Sequence, residues 1–244
     1  MLKFKFLGAN GSCQAADCGN TSILFTDGAG SLCIDLACNI SSVVDADIDA
    51  VLLTHEHIDH IYALPSLLHQ LWLTGRTRPL TIYLPAGLDP FVNGMIDLFS
   101  IRSKKNIFAI VLSHEEQFTV GGMHFQTFKT DHTPISVGVI VEEGGRKLVY
   151  TGDSRPIPAA PEFMSGAQVL IHEASGLESN EQTLIQKGHS SAADAGRLAA
   201  ALGAGQLYLC HLPRGTAAKQ ALLSEARSLF PAAHLPGILT EYTL

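Results

Sequence analysis

The stretch Thr54–His60, T-H-E-H-I-D-H, constrains this chain more than any other. It sets three histidines and two acids directly behind the apolar run Asp49–Thr54 (DAVLLT), which is too short for a helix and reads as a buried strand. In the extended or turning backbone that follows a strand, positions i and i+2 point the same way. His55 and His57 are therefore placed to grip one ion together. Asp59 and His60 lie further on, where the next helix begins, and are placed to serve a second ion beside the first. Imidazole and carboxylate are zinc ligands at roughly 2.0–2.2 Å. A solvated loop explains one histidine, but not H-x-H-x-D-H behind a strand.

The remaining sequence supplies a frame for such a site. A chain of 244 residues can bury one sizeable core, and 46% hydrophobic with 16% charged residues is ordinary for a globule. The formal charge of −7 argues against a binder relying on overall attraction to phosphates, and no DNA partner is expected. The start, MLKFKFLGANG, reaches glycine too early for a signal peptide. No run of about 18 apolar residues exists to span a bilayer. Five cysteines, an odd number, form no closed disulfide framework, and Cys13 with Cys18 lacks a second pair to complete a zinc site. Cytoplasm is the expected compartment.

Short β-rich runs bounded by Gly, Asn or Asp predict strands over Lys3–Leu7, Thr21–Thr26 and Ser31–Leu36. Further strands are expected at LTIYLP, IFAIVL, MHFQTFKT, ISVGVIVE, RKLVYT, QVLIHE and QLYLC. Ile135–Glu142 and Arg146–Thr151 read as a hairpin. Helical spacing marks the segment from Tyr62 to Gly75, PFVNGMIDLFSI, the segment after His189 that closes at Gly203, and Ala217–Phe230. Two β-rich blocks, each followed by helices, predict two sheets packed face to face with helices outside, as one domain over 1–244.

The candidate ligands share a placement. His132 follows MHFQTFKTD, Asp153 follows KLVYTG, and His211 follows LYLC. Sheets that align their strand ends would gather all of them at one rim. His69, His114, His124 and His234 have no motif around them.

With THEHIDH, the stretches YTGDS (Tyr150–Ser154), IHEAS (Ile171–Ser175), GHSS (Gly188–Ser191) and CHLPRG (Cys210–Gly215) occur in order along nearly the whole chain. The sequence thereby resembles the metallo-β-lactamase superfamily, in its tRNase Z-like branch. That resemblance implies an α/β fold, the four-layer αβ/βα sandwich with a metal site at one edge of the two sheets. It also implies two divalent ions, zinc or alternatively manganese. His55, His57 and His132 would hold one, and Asp59, His60 and His211 the other, with Asp153 bridging. Such a pair lowers the pKa of a bound water towards about 7 and holds the oxygen under attack. By the same resemblance, His189 would protonate the leaving oxygen and Glu173 would orient its ring, with Asp59 helping to orient the nucleophile. His172 reads equally as core or as support.

Relatives with other ligands fall away. A metallo-β-lactamase proper lacks the histidine after Asp59 and has cysteine at the position of Asp153. Flavodiiron proteins carry glutamate at the position of His57. Glyoxalase II shares the ligands but does not need GHSS and HEAS in this arrangement. Many tRNase Z enzymes insert an RNA-clamping arm between the ligands matching His132 and Asp153. Here only residues 133–152 lie between them, and the hairpin Ile135–Thr151 takes up nearly all of these. Neutralising several phosphates dominates RNA affinity. The resemblance, with no room for the arm, implies a metal-dependent phosphodiesterase acting on a cyclic nucleotide, a cyclic sugar phosphate or an RNA 3′ end. The alternatives are pre-tRNA 3′-end cleavage, lactone or thioester hydrolysis, and a metal-containing binding module without catalysis. A homodimer, frequent among relatives, would use the helix Tyr62–Leu73 with Trp72, although a core-facing stripe explains that helix equally well.

Overall fold

The computed structural model describes residues 1–244. One sheet contains β1 (Lys3–Gly8), β2 (Ser22–Thr26), β3 (Ser31–Ile34), β4 (Ala50–Leu52), β5 (Leu80–Tyr83), β6 (Ile110–Ser113) and β14 (Glu241–Thr243), in the order β14-β1-β2-β3-β4-β5-β6. The other contains β7 (Gln117–Val120), β8 (Met123–Lys129), β9 (Val137–Glu143), β10 (Arg146–Tyr150), β11 (Val169–Glu173), β12 (Gln206–Cys210) and β13 (Ala233–His234), in the order β13-β12-β11-β10-β9-β8-β7. The helices are α1 (Ile40–Asp45), α2 (Ile58–Ile61), α3 (Leu64–Leu73), α4 (Asp89–Leu98), α5 (Glu181–Gln186), α6 (Ala192–Leu202) and α7 (Thr216–Leu229).

Strand alternation builds the layers. Successive side chains leave a strand on opposite faces. Along β10, Leu148 and Tyr150 enter the core between the sheets while Val149 enters the core under the helices. On β12, Tyr208 and Cys210 face the other sheet and Leu207 and Leu209 face α6 and α7. Phe4, Phe6 and Phe25 meet Phe125 and Tyr208 in the central layer. The outer face of the first sheet packs on α3 and α4 through Leu64, Leu67, Leu71, Val92 and Ile96. Helices, two sheets and helices therefore stack in four layers, the sandwich expected from the sequence.

Strand direction positions the site. β3, β4 and β5 run parallel. In the second sheet β10, β11 and β12 are parallel, and β8 shares their direction because both β8 and β10 pair antiparallel with β9. The C-terminal ends of β3, β4, β8, β10, β11 and β12 lead directly into Asp35, Thr54–His60, His132, Asp153, Glu173–Ser175 and His211.

Several elements escape local pattern. β14 exists because its residues pair with Lys3–Lys5 from the opposite end of the chain. β7 alternates inward Phe118 and Val120 with exposed partners, but its four residues are too few to stand out. α1 and α5 are six residues each, about the length at which helical periodicity stops being readable. The strand expected from Ile107 begins at Ile110. The helix expected from Tyr62 starts at Leu64, behind the separate single turn α2, with Pro65 in its first turn, where the missing N–H costs nothing.

Candidate metal centre

The structure gathers all seven sequence-derived ligand candidates at one edge. Asp153 is the point to which the rings turn. Its Oδ2 lies 3.2 Å from His211 Nε2, 3.4 Å from His60 Nε2, 3.7 Å from His132 Nε2 and 3.8 Å from His55 Nε2. His57 joins through Nδ1, 3.0 Å from His132 Nε2. Asp59 Oδ2 lies 3.3 Å from His211 Nε2 and 3.8 Å from His60 Nε2. One donor atom from each of His55, His57, His132 and Asp153 falls within 4.8 Å of the others, and the same holds for Asp59, His60 and His211.

These groups fit divalent cations. Both carboxylate oxygens of Asp153, His55 Nε2 and His60 Nε2 are buried and have no hydrogen-bond partner. An unpaired buried polar atom costs on the order of 1–3 kcal/mol. Lone pairs converging on one space are what a cation satisfies, and imidazole with carboxylate is a donor set suited to zinc.

The far nitrogens are held from behind. His55 Nδ1 lies 2.9 Å from Thr54 Oγ1, and that hydroxyl donates to Asp35 Oδ2 at 2.9 Å. His60 Nδ1 lies 2.6 Å from Asp35 Oδ2, His132 Nδ1 lies 2.8 Å from the Gly188 carbonyl, and His211 Nδ1 lies 2.8 Å from Ser175 Oγ. Each of these partners suits a proton on Nδ1 and so turns Nε2 inward as the atom offered to a cation, the role of outer partners of metal-binding histidines. Burial drives His55 and His132 towards the neutral form. Burial also opposes charge on His60 and His211, but Asp153 raises both, helped by Asp35 at His60. Asp59 and Asp153 are likewise pushed up by burial, yet His211 and His60 hold both carboxyls below the usual range.

Asp35 joins the site without a motif to mark it. It is fully buried and also accepts from the Thr54 backbone N–H at 2.9 Å. Its legible signal was an acid closing the apolar run SLCI. Replacing Asp35 by Asn sets an amide NH₂ against donors from His60 or Thr54. Metal affinity is expected to fall about 10–100-fold, measured by competition with a chromogenic chelator. Close approach fixes His211 from the other side. A Cβ on Gly11 would lie 2.8 Å from His211 Cε1, so Gly11→Ala is expected to displace that ring and lower the bound metal per chain in elemental analysis.

The two remaining candidates also meet here. His189 Nδ1 lies 3.1 Å and 3.2 Å from the two oxygens of Glu173, which is fully buried. Its ring stacks on His211 with centroids 4.9 Å apart. Glu173 further accepts from the Ser154 N–H and from Ser175 Oγ, each at 2.7 Å. Ser191 and Asp194 form a capping box at the start of α6, which anchors the turn carrying His189. The same turn brings Gly188, at φ +83°, so near His132 that a Cβ would lie 2.7 Å from Nδ1. His172 stays outside the cluster. It shares the helix-facing side of β11 with Leu170, and its Nδ1 bonds the Glu173 carbonyl at 2.7 Å. His114 pairs with Asp89, and His69 lies against Trp72.

Residues 37–212 match the family described as "Beta-lactamase superfamily domain". The chain is 29% identical to ribonuclease Z of Shouchella clausii, over 86% of this chain and 80% of that enzyme. The metallo-β-lactamase fold protein YhfI from Bacillus subtilis superposes with a TM-score of 0.84 at 25% identity, covering 99% and 98% of the two chains. The short form of human tRNase Z shares the fold, with a TM-score of 0.77 at 21% identity and coverage of 99% and 98%.

Proposed function

The chain belongs to the metallo-β-lactamase superfamily, in its tRNase Z-like branch, and on that premise we propose that it is a dinuclear metal-dependent phosphodiesterase. The observation that carries this reading is the set of unpartnered donor atoms around Asp153, with the His189–Glu173 pair beside it. His55, His57 and His132 would hold one divalent ion, and Asp59, His60 and His211 the other, with Asp153 shared. When bound, such ions polarise a phosphoryl oxygen and supply a water-derived nucleophile near neutral pH. Zinc suits the donors, with manganese as the alternative.

The chain's own groups do the rest. The carboxylate of Glu173 holds His189 at Nδ1, so Nε2 is the nitrogen left to hand a proton to the departing oxygen. Asp59, held by Ser12 Oγ at 3.2 Å, helps to orient the nucleophile. The β9–β10 hairpin spans the interval in which an RNA-clamping arm would be inserted, which favours a small phosphodiester or a short RNA 3′ end as substrate.

The test is a panel of bis-p-nitrophenyl phosphate, 2′,3′-cyclic nucleotides, short RNA 3′ ends, a lactone and a thioester, run on protein of measured metal content. Turnover of phosphodiesters above the chelated control is expected. Hydrolysis of the lactone or thioester alone would replace this reading with acyl chemistry at the same ions.

A further inference from the structure

A groove lined by Tyr62, Ser66 and His69 lies along the helical segment that follows Asp59. Asp59 and Tyr62 are three apart in a single turn, so they are neighbours on its surface. The N-terminal loop touches both, Ser12 bonding Asp59 and Gln14 bonding the Tyr62 hydroxyl. Beyond Tyr62 the same side continues through Ser66 and His69 into a cavity of about 370 Å³, closed by Phe99, Ile101 and Lys104. Tyr62 and Phe99 are 39% and 57% exposed, so two aromatic faces are offered to a ligand and not to the core. Lys104 has no carboxylate partner and lies 4.7 Å over the Trp72 ring.

We infer that this groove seats a nucleobase, the one attached next to the phosphodiester held at the metal centre. The inference rests on the phosphodiesterase reading and narrows it to nucleotide-bearing substrates, as against cyclic sugar phosphates without a base. The physical case is stacking. Every base has a π-face that aromatic side chains accept, while Ser66 and His69 offer hydrogen bonds to its edge and Lys104 a charge for a neighbouring phosphate. Tyr62, the groove-lining residue next to the site, is three residues from Asp59, and this adjacency ties the groove to the metal centre.

Trp72 is the only tryptophan, and it touches two lining residues, His69 at 5.5 Å between ring centroids and Lys104. Its emission therefore reports the groove without reference to turnover. The metal-loaded protein is titrated with adenosine 5′-monophosphate and, separately, with ribose 5-phosphate, which presents the same phosphate without a base. Saturable change with the nucleotide at about tenfold lower concentration than with the sugar phosphate is expected. Phe99→Ala and Tyr62→Ala should each erase most of that difference, with far-UV circular dichroism and metal content confirming that both variants fold. Identical titrations by the two ligands, or variants that bind the nucleotide as the parent does, overturn the inference. Emission that instead follows protein concentration and ignores the nucleotide identifies a second copy of the chain as the occupant, and also overturns it. If the nucleotide binds as expected but no phosphodiester is cleaved, the groove stands and the phosphodiesterase reading falls.

Discussion

Asp153→Ala is expected to abolish stoichiometric metal uptake and to reduce turnover of bis-p-nitrophenyl phosphate by about 10³-fold or more. The Asp153 side chain brings one oxygen within 3.8 Å of four ring nitrogens that belong to both halves of the site. Alanine removes the only carboxylate the two halves share and leaves four rings facing one another across a gap. On the two-ion reading, each ion would then have fewer donors and no shared anion to offset repulsion from its neighbour. The electrostatic help lost amounts to several kcal/mol of the barrier, and each 1.4 kcal/mol is tenfold in rate. Elemental analysis after gel filtration gives the metal content, and the same sample gives the rate. A variant that keeps two ions and near-parental turnover would show that Asp153 is merely a buried turn acid.

The second large effect concerns His189 and depends on the substrate. A p-nitrophenolate departs readily without a proton, whereas a ribose or alkyl oxygen does not. His189→Ala is expected to slow esters with poor leaving groups about 10²–10⁴-fold, the usual range for a positioned general acid, and activated esters much less. Glu173→Gln should act in the same direction, because Glu173 fixes the ring only through Nδ1. It should also disturb His211, since Ser175 bridges that ring to the same carboxylate. Metal content therefore separates the two variants, unchanged for His189→Ala and lowered for Glu173→Gln. Equal losses on good and poor leaving groups would remove His189 from proton transfer. The ring would then act by packing on His211.

How much was readable in advance differs by residue. His55, His57, Asp59 and His60 announce themselves because they are adjacent in sequence and follow a strand whose apolar run is unmistakable. His132, Asp153 and His211 were legible through a shared rule, a polar residue just beyond an apolar strand, once the strands are assumed to end at one edge. His189 and Glu173 needed the resemblance, since neither a histidine before a helix nor an acid closing a strand is diagnostic by itself. The fate of His172 could not be read at all. It is one residue from Glu173, and only the register of β11 between β10 and β12 decides which of the two faces the site.

Neighbouring residues alone specify the kind of chemistry and its approximate address: imidazoles and carboxylates at strand ends, in a chain able to form two sheets. These are properties of neighbouring residues, written in spacing and alternation. It takes the packed fold to bring Asp35 to His60 and Thr54, to link His211 to Glu173 through Ser175, and to lay Gly11 against the His211 ring. Such partners come from segments far apart along the chain. Their meeting depends on how the strands pair and how the two sheets stack, and no local pattern carries that information.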